Sequence, residues 1–477
     1  MTVALPTARS NPFIGPRAFQ GGERLYGRER ETRRIVDLLI AERIVLLYSP
    51  SGAGKTSLIN AALVPGLRAE QFQVSQIIRV GLDTGGVPED VGGGNRYLLS
   101  VLLSLEQGAR PQSQRDVGEL MALGLDRYVA EWAQLDGAGA GNELLVFDQF
   151  EEILTADPID EDGRRAFFSE LGETLKNRGR WALFAMREDY LAGLDPYLAA
   201  LPTKLRTRVR LDLLDDAAAV RAIQQPARAA GREITDAAAR RLVDELRLVH
   251  AQRGDQRLQL PGPFVEPMQL QVVCRRIWEA VDPEVDRVDV DDVEVVGDVE
   301  RALGEYYADT VARVAAATGV PERRIRDWFD EDLISPSGFR AQVQHGPRGI
   351  GDSETRVLTV LEDALIIRGE NRRGTHWVEL AHDRLVESIK TDNSRWRSEH
   401  LSTLQRQAAL WQADGRKEGL LLSGTALRDA TAWAEANPDE LGVVDREFLD
   451  TCVTARAAHR RQRRLVKIAW ISSVVLR

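Results

Sequence analysis

The stretch Ser49-Pro-Ser-Gly-Ala-Gly-Lys-Thr56 leaves this chain few choices of fold. It follows the apolar run Ile44-Val-Leu-Leu-Tyr48 and precedes Ser57-Leu-Ile-Asn-Ala-Ala-Leu63, whose apolar residues fall at helical spacing. A glycine-rich turn between a buried strand and a helix gathers backbone N–H groups and the positive end of the helix around one point. That arrangement cradles phosphate. Lys55 is placed to reach the β- and γ-phosphates and Thr56 to ligate magnesium, with Ser51, Gly52, Ala53, Gly54 and Ser57 completing the cradle. Ser49 stands where the usual pattern begins with glycine, while the Gly-Lys-Thr triplet is intact. A turn of this kind belongs to an open α/β sheet, which binds ligands at the carboxyl ends of its strands.

The first half of the chain fits that demand. Apolar, β-rich runs at Arg43–Ser49, Val74–Gly81, Glu143–Asp148, Trp181–Met186 and Arg208–Leu214 alternate with helical patterns, as in a parallel sheet. From about Asp215 the periodicity is helical, at Ala217–Ala230, Asp236–Val249 and Met268–Ala280. Within 299–389, helices ending near Arg356–Asp363 are followed by two strand-like runs, Leu365–Arg368 and His376–Leu380, and a further helix; the pattern suggests a winged-helix module. The expected organisation is an N-terminal extension (1–24), a P-loop core of ASCE/AAA-like type (25–214), a helical domain (215–298), a winged-helix domain (299–395), a helical tail (396–464) and a short apolar C-terminus (465–477). The three domains among these agree with a length of 477 residues at about 150 per domain.

Hydrolysis needs an acid beside the cradle. Glu143-Leu-Leu-Val-Phe-Asp148 is an apolar strand ending in one, so Asp148 shares the magnesium with Thr56. Glu151 or Glu152 is then in range to polarise the attacking water, and residue type does not choose between them. Trp181-Ala-Leu-Phe-Ala-Met-Arg187 is a second apolar strand ending in a polar residue, and a guanidinium there is suited to sensing the γ-phosphate.

In order, these motifs resemble the STAND class of P-loop NTPases, and within it the novel STAND NTPase 1 group. Asn11-Pro-Phe-Ile-Gly-Pro-Arg-Ala-Phe19 resembles the group's opening, and Leu25-Tyr-Gly-Arg-Glu-Arg-Glu31 fits the box that contacts adenine, implying a base contact for Arg28. The resemblance implies a magnesium acid in Asp148 and a sensor arginine in Arg187. Glu266-Pro267 is similar to a module whose proline packs on the base, with a glutamate in place of the usual small residue. Leu380-Ala-His-Asp383 resembles a Met-His-Asp motif whose histidine touches the β-phosphate of ADP, which makes His382 the implied switch residue. Leu420–Arg428 and Ala432-Trp433 resemble the helical tail of the group. A member of that group is a magnesium-dependent ATPase of low turnover, holding ADP in a closed form and ATP in an open form that self-associates or engages an effector or sensor protein; the resemblance implies the same here. The competing reading is an ATP-controlled transcriptional regulator that binds DNA through the winged helix.

Charge bears on that choice. A net charge of −10 argues against broad nucleic-acid binding, which depends on neutralising phosphates. The chain begins with no basic stretch followed by an apolar core, so no signal peptide is expected. Its two separated cysteines, Cys274 and Cys452, suit the reducing cytoplasm. Beyond Asp450 the chain carries no acid; Arg456, Arg460, Arg461, Arg463, Arg464 and Lys467 precede an apolar run, Ile468–Leu476. That run is too short to span a bilayer, and the pairing of basic and apolar stretches is suited to peripheral contact with an anionic membrane.

Overall fold

The computed structural model describes residues 10–82, 95–108, 114–135, 142–157, 159–253, 256–296, 299–335, 340–344, 353–372, 375–381 and 384–458. The chain divides into two compact units, 1–389 and 390–477.

Five parallel strands form the sheet of the first unit: β1 (Ile44–Ser49), β2 (Gln73–Ile78), β3 (Glu143–Phe147), β4 (Arg180–Arg187) and β5 (Arg208–Arg210), ordered β2-β3-β4-β1-β5. Side chains alternate between faces along a strand, and here both faces are buried. Ile44, Leu46, Leu145, Phe147, Ala182 and Phe184 enter one core with the helices Arg96–Glu106, Val117–Leu135 and Glu161–Lys176. Val45, Leu47, Leu144, Val146, Leu183 and Ala185 enter the opposite core with the helix Glu29–Glu42 and the helical stretch that begins at Lys55. Burial on two faces is why the central strands β3, β4 and β1 read as nearly unbroken apolar runs, whereas the edge strand β5, Arg208-Val-Arg210, buries only Val209. Aromatic rings fill the first core, with Phe147 stacked on Phe184 at 4.8 Å and Phe168 on Tyr197 at 4.9 Å.

Strand β5 is shorter than the run Arg208–Leu214 predicts. Its neighbour β1 ends at Ser49 and turns into the glycine loop, so pairing ceases after Leu211 N–H donates to the Tyr48 carbonyl. Leu214 pairs instead with Val265 in an isolated antiparallel bridge, joining the sheet layer to the next one.

Region 215–298 is helical at Asp216–Ala229, Asp236–Leu246 and Pro267–Ala280, as the periodicity predicts, except that the second helix stops at Leu246 and not at Val249, because Leu248 and Val249 pair in a hairpin. It also contains an antiparallel hairpin, Leu248–Arg253 with Gln256–Pro261, and a two-residue parallel pair, Glu233–Ile234 with Arg287–Val288, neither of which the helical periodicity shows. Further along, the helices Val299–Thr318, Glu322–Trp328 and Ser353–Asp363 precede the hairpin Ile367–Arg372 with Thr375–Leu380. The first strand starts two residues later than the sequence predicts, because Leu365 takes a left-handed φ of 53° and closes the preceding helix. The helical layer and this distal part share one continuous core around Trp278, Tyr307, Trp328 and Phe329.

In the second unit, helices at Thr403–Ala413, Gly424–Ala436 and 443–458 pack around Leu404, Trp411, Leu427, Phe448 and Cys452. Ser402 and Gln405 form a reciprocal capping box at the first of them. Among the described residues no helix is long and apolar enough to cross a membrane. The basic and apolar stretch beyond residue 458, and His382 with Asp383, lie outside the described residues.

Candidate nucleotide-binding site

At the carboxyl edge of the sheet, between β1 and β4, lies a cavity of about 370 Å³. Its floor is the turn after β1, where Gly52 and Gly54 hold φ of 78° and 88°, a left-handed conformation that side chains resist. Ser51, Gly52, Ala53, Gly54, Lys55, Thr56 and Ser57 all line it. The Lys55 ammonium donates to the Ser49 hydroxyl at 2.8 Å. Burial pushes the Lys55 pKa down, and the carboxylates of Glu151 and Asp148 oppose that fall.

Strand β4 separates β1 from β3, so residues leaving three strand ends meet here. The Thr56 hydroxyl donates to Asp148 Oδ2 at 2.7 Å. Asp148 is buried and its other oxygen accepts from the Gln149 N–H at 2.9 Å, which fixes the carboxylate. Two hard oxygen donors adjoining a phosphate cradle suit magnesium, which takes few protein ligands and completes its shell with phosphate and water.

The two glutamates after β3 part company. Glu151 lines the cavity, and its carboxylate accepts from the Arg187 N–H at 3.2 Å. Burial pushes the Glu151 pKa up against the opposing pull of Lys55. Glu152 turns away: it forms an ion pair with Arg79 and accepts from the Gly81 N–H at 3.1 Å.

Arg187 sits opposite Ser49 in the β1–β4 register and also lines the cavity. All three of its guanidinium nitrogens donate to protein groups. Nη1 donates to the Gly369 carbonyl of the distal hairpin at 2.9 Å, and Nε and Nη2 donate to Asp189 at 3.3 and 2.9 Å.

Arg28 is 4% exposed and its Nη2 donates to the carbonyls of Ala53 and Asp212 at 3.0 and 2.8 Å, while Nη1 bonds Glu31. It thereby ties the phosphate turn to the segment after β5. The preceding Gly27 has a φ of 83°, and a Cβ there would stand 2.6 Å from the Ala218 carbonyl, so only glycine lets the chain before Arg28 pass this close to the helix Asp216–Ala229. Pro267 lines the cavity from the first position of its helix, where a missing N–H costs nothing. Glu266 before it accepts from the Gln269 amide at 2.9 Å.

Two walls carry no motif of known chemistry. Residues 15–19 line the cavity as a strap: Phe13 is buried against Trp278, the Ile14 N–H donates to Gln271 at 3.1 Å, and the Phe19 N–H donates to the Ser57 hydroxyl at 3.2 Å. Glu362, Asp363 and Leu365 approach from the distal part. Nothing in the sequence marks these last three; Gly15–Phe19 fall within the stretch Asn11–Phe19 that resembles the family's opening, but residue type gave that stretch no place at the site.

An all-parallel sheet in this order, with a glycine turn after β1 and an acid after β3 across an intervening strand, defines a P-loop nucleoside triphosphatase. The chain belongs to the novel STAND NTPase 1 family, whose model matches residues 12–419. No curated protein matches it. Among solved structures it is similar to a Walker-type ATPase of Pyrococcus abyssi at 14% identity, covering 78% of this chain and 98% of that one, with a TM-score of 0.42. It is also similar to the ORC2 protein of Aeropyrum pernix in its ADPNP–ADP complexes (13% identity, 80% and 97% covered, TM-score 0.39) and in its ADP form (15%, 80% and 97%, TM-score 0.38).

Proposed function

We propose that this chain is an ATP/ADP-operated signalling switch, in which slow magnesium-dependent ATP hydrolysis is coupled to closing and opening between a P-loop core and the parts C-terminal to it. One observation carries the reading: the cavity around Lys55 and Thr56 is also lined by residues 15–19, Pro267 and residues 362–365, so segments from both ends of the first unit wall one site. A nucleotide bound there touches every layer, and a change in its phosphates acts on their separation. In this reading the core spans 25–214, the helical domain 215–298, a winged-helix domain 299–395 and the tail 396–464.

Lys55 and the turn amides hold the β- and γ-phosphates, and Thr56 and Asp148 would hold magnesium, which when bound neutralises phosphate charge. Glu151, and not Glu152, is placed to take the proton of the attacking water as the bond between the γ-phosphorus and the ADP oxygen breaks; Glu152 is committed to Arg79. Arg187 reports the γ-phosphate. Arg28 shapes the base end through backbone carbonyls, and Pro267 packs there. His382 remains the β-phosphate residue that the family resemblance implies. The open form then self-associates or engages an effector or sensor protein, and the basic, apolar C-terminus touches a membrane surface.

The test joins two measurements on the full chain. Denatured protein is analysed for its co-purifying nucleotide, and mass in solution is read by light scattering with ADP and with a non-hydrolysable ATP analogue. ADP with a small particle, and a larger particle in the analogue, is the expected outcome. Identical particles and no bound nucleotide would reject the switch.

A further inference from the structure

The cavity's floor is cationic and its far wall is acidic. Glu362 and Asp363 are the last two residues of the helix Ser353–Asp363, and both face the same space as Lys55, Glu151 and Arg187. That helix end is held in place. The Ala364 N–H donates to Val360 at 3.1 Å, the Leu365 N–H to Glu362 at 2.9 Å and the Ile366 N–H to Leu361 at 3.1 Å, while the Tyr306 hydroxyl donates to the Ala364 carbonyl. A helix C-terminus carries partial negative charge, which adds to the two carboxylates. Charge crowding is evident at Asp363, whose pKa is pushed up by burial and by Glu362, with Arg79 opposing.

Two cations beside this wall also serve other groups. Arg187, at its edge, gives its hydrogen bonds to the Gly369 carbonyl and to Asp189. Arg79 is paired with Glu152. A third phosphate brings further negative charge toward the acidic wall and competes with Gly369 for Arg187.

We propose that Glu362 and Asp363 are specificity-determining residues: they make this arrangement of the cavity select a nucleoside diphosphate over a triphosphate. The proposal rests on the switch reading above and deepens it, by naming the side chains that let the third phosphate work against the far wall. Triphosphate binding then stabilises a form in which 362–369 has moved away, since a ligand shifts an equilibrium only by its differential affinity for the two states.

The experiment compares the full-length wild type, D363N and E362Q/D363N for affinity toward ADP and a non-hydrolysable ATP analogue, with particle size in each. Asn has the size and shape of Asp, so D363N leaves the packing alone and guards against misfolding of the double variant. Expected is a rise of about tenfold in analogue affinity relative to ADP in the double variant, with a smaller rise in D363N, from the loss of nearby like charge. ADP affinity stays within about twofold of wild type, and the analogue now binds with less change in size. An unchanged affinity ratio overturns the proposal, and so does an equal fall for both nucleotides, which would mark the pair as structural. Failure of the switch reading is visible separately, in a wild type that binds neither nucleotide or shows one size in both.

Discussion

The floor and the far wall of the cavity are built by opposite means. The floor, Ser51–Ser57, is one continuous stretch whose conformation is local: two left-handed glycines and a helix start fix where its N–H groups converge. The far wall, 362–369, depends on a helix end capped by Leu365, pinned by Tyr306, and tied to β4 by the bond from Arg187 to Gly369. Local chemistry of the first kind recurs as a recognisable motif. Placement of the second kind is a property of packing, and its residues are ordinary ones in unusual company.

The contrast predicts which substitutions treat all nucleotides alike. Lys55→Ala removes a charged donor from the floor and should weaken ADP and ATP together by on the order of 1,000-fold, about 4 kcal/mol, in a calorimetric titration. Retained affinity would break the floor assignment. Asp148→Asn should lower magnesium-dependent phosphate release by roughly several hundredfold while leaving some binding, as loss of a transition-state electrostatic group does. Unchanged turnover would reject its role.

Finer effects separate the two glutamates. Glu151→Gln should cost about 100-fold in turnover with affinity kept, the usual scale for a lost general base. Glu152→Gln should change turnover by less than about threefold, since its partners are Arg79 and Gly81 and not the cavity. The pH dependence sharpens the same point. Burial raises the Glu151 pKa, and the base must be ionised to act, so kcat/KM should fall with decreasing pH through a value above the ordinary glutamate range. In Glu151→Gln that acidic limb should disappear. Loss of Phe13 acts on the fold more than on nucleotide: Phe13→Ala should lower folding stability by about 3 kcal/mol, read as a fall in Tm, and weaken both nucleotides only severalfold. A collapse of turnover in this variant, with affinity intact, would mean that the strap does more than close the cavity.

Much of the floor was legible because chemistry dictates residue type and spacing at once. Lys55, Thr56 and Asp148 converge as their motifs require, and the three central strands β3, β4 and β1 arise from apolar runs buried on both faces. Boundaries were less secure where a neighbour decided them: β5 stops because β1 turns away, which no property of residues 211–214 announces. The hairpin at 248–261 escaped because the helical period of Asp236–Leu246 runs on smoothly into Leu248 and Val249. Its signal was present in the turn-forming Gly254-Asp255 and the alternation at Leu258 and Leu260. Choosing Glu151 over Glu152 required knowing where Arg79 ends up, and that is fixed by β2, far earlier in the chain.

The strap of residues 13–19 sets a length. Phe13 is sunk in the core of the helical layer and the Phe19 N–H is bonded to Ser57 on the phosphate turn. Six residues of fully extended chain reach at most about 20 Å. The strap is therefore a leash: in the proposed opening the two layers it joins would separate only until it is taut, and any wider opening has to pull Phe13 from its core or break the link to Ser57.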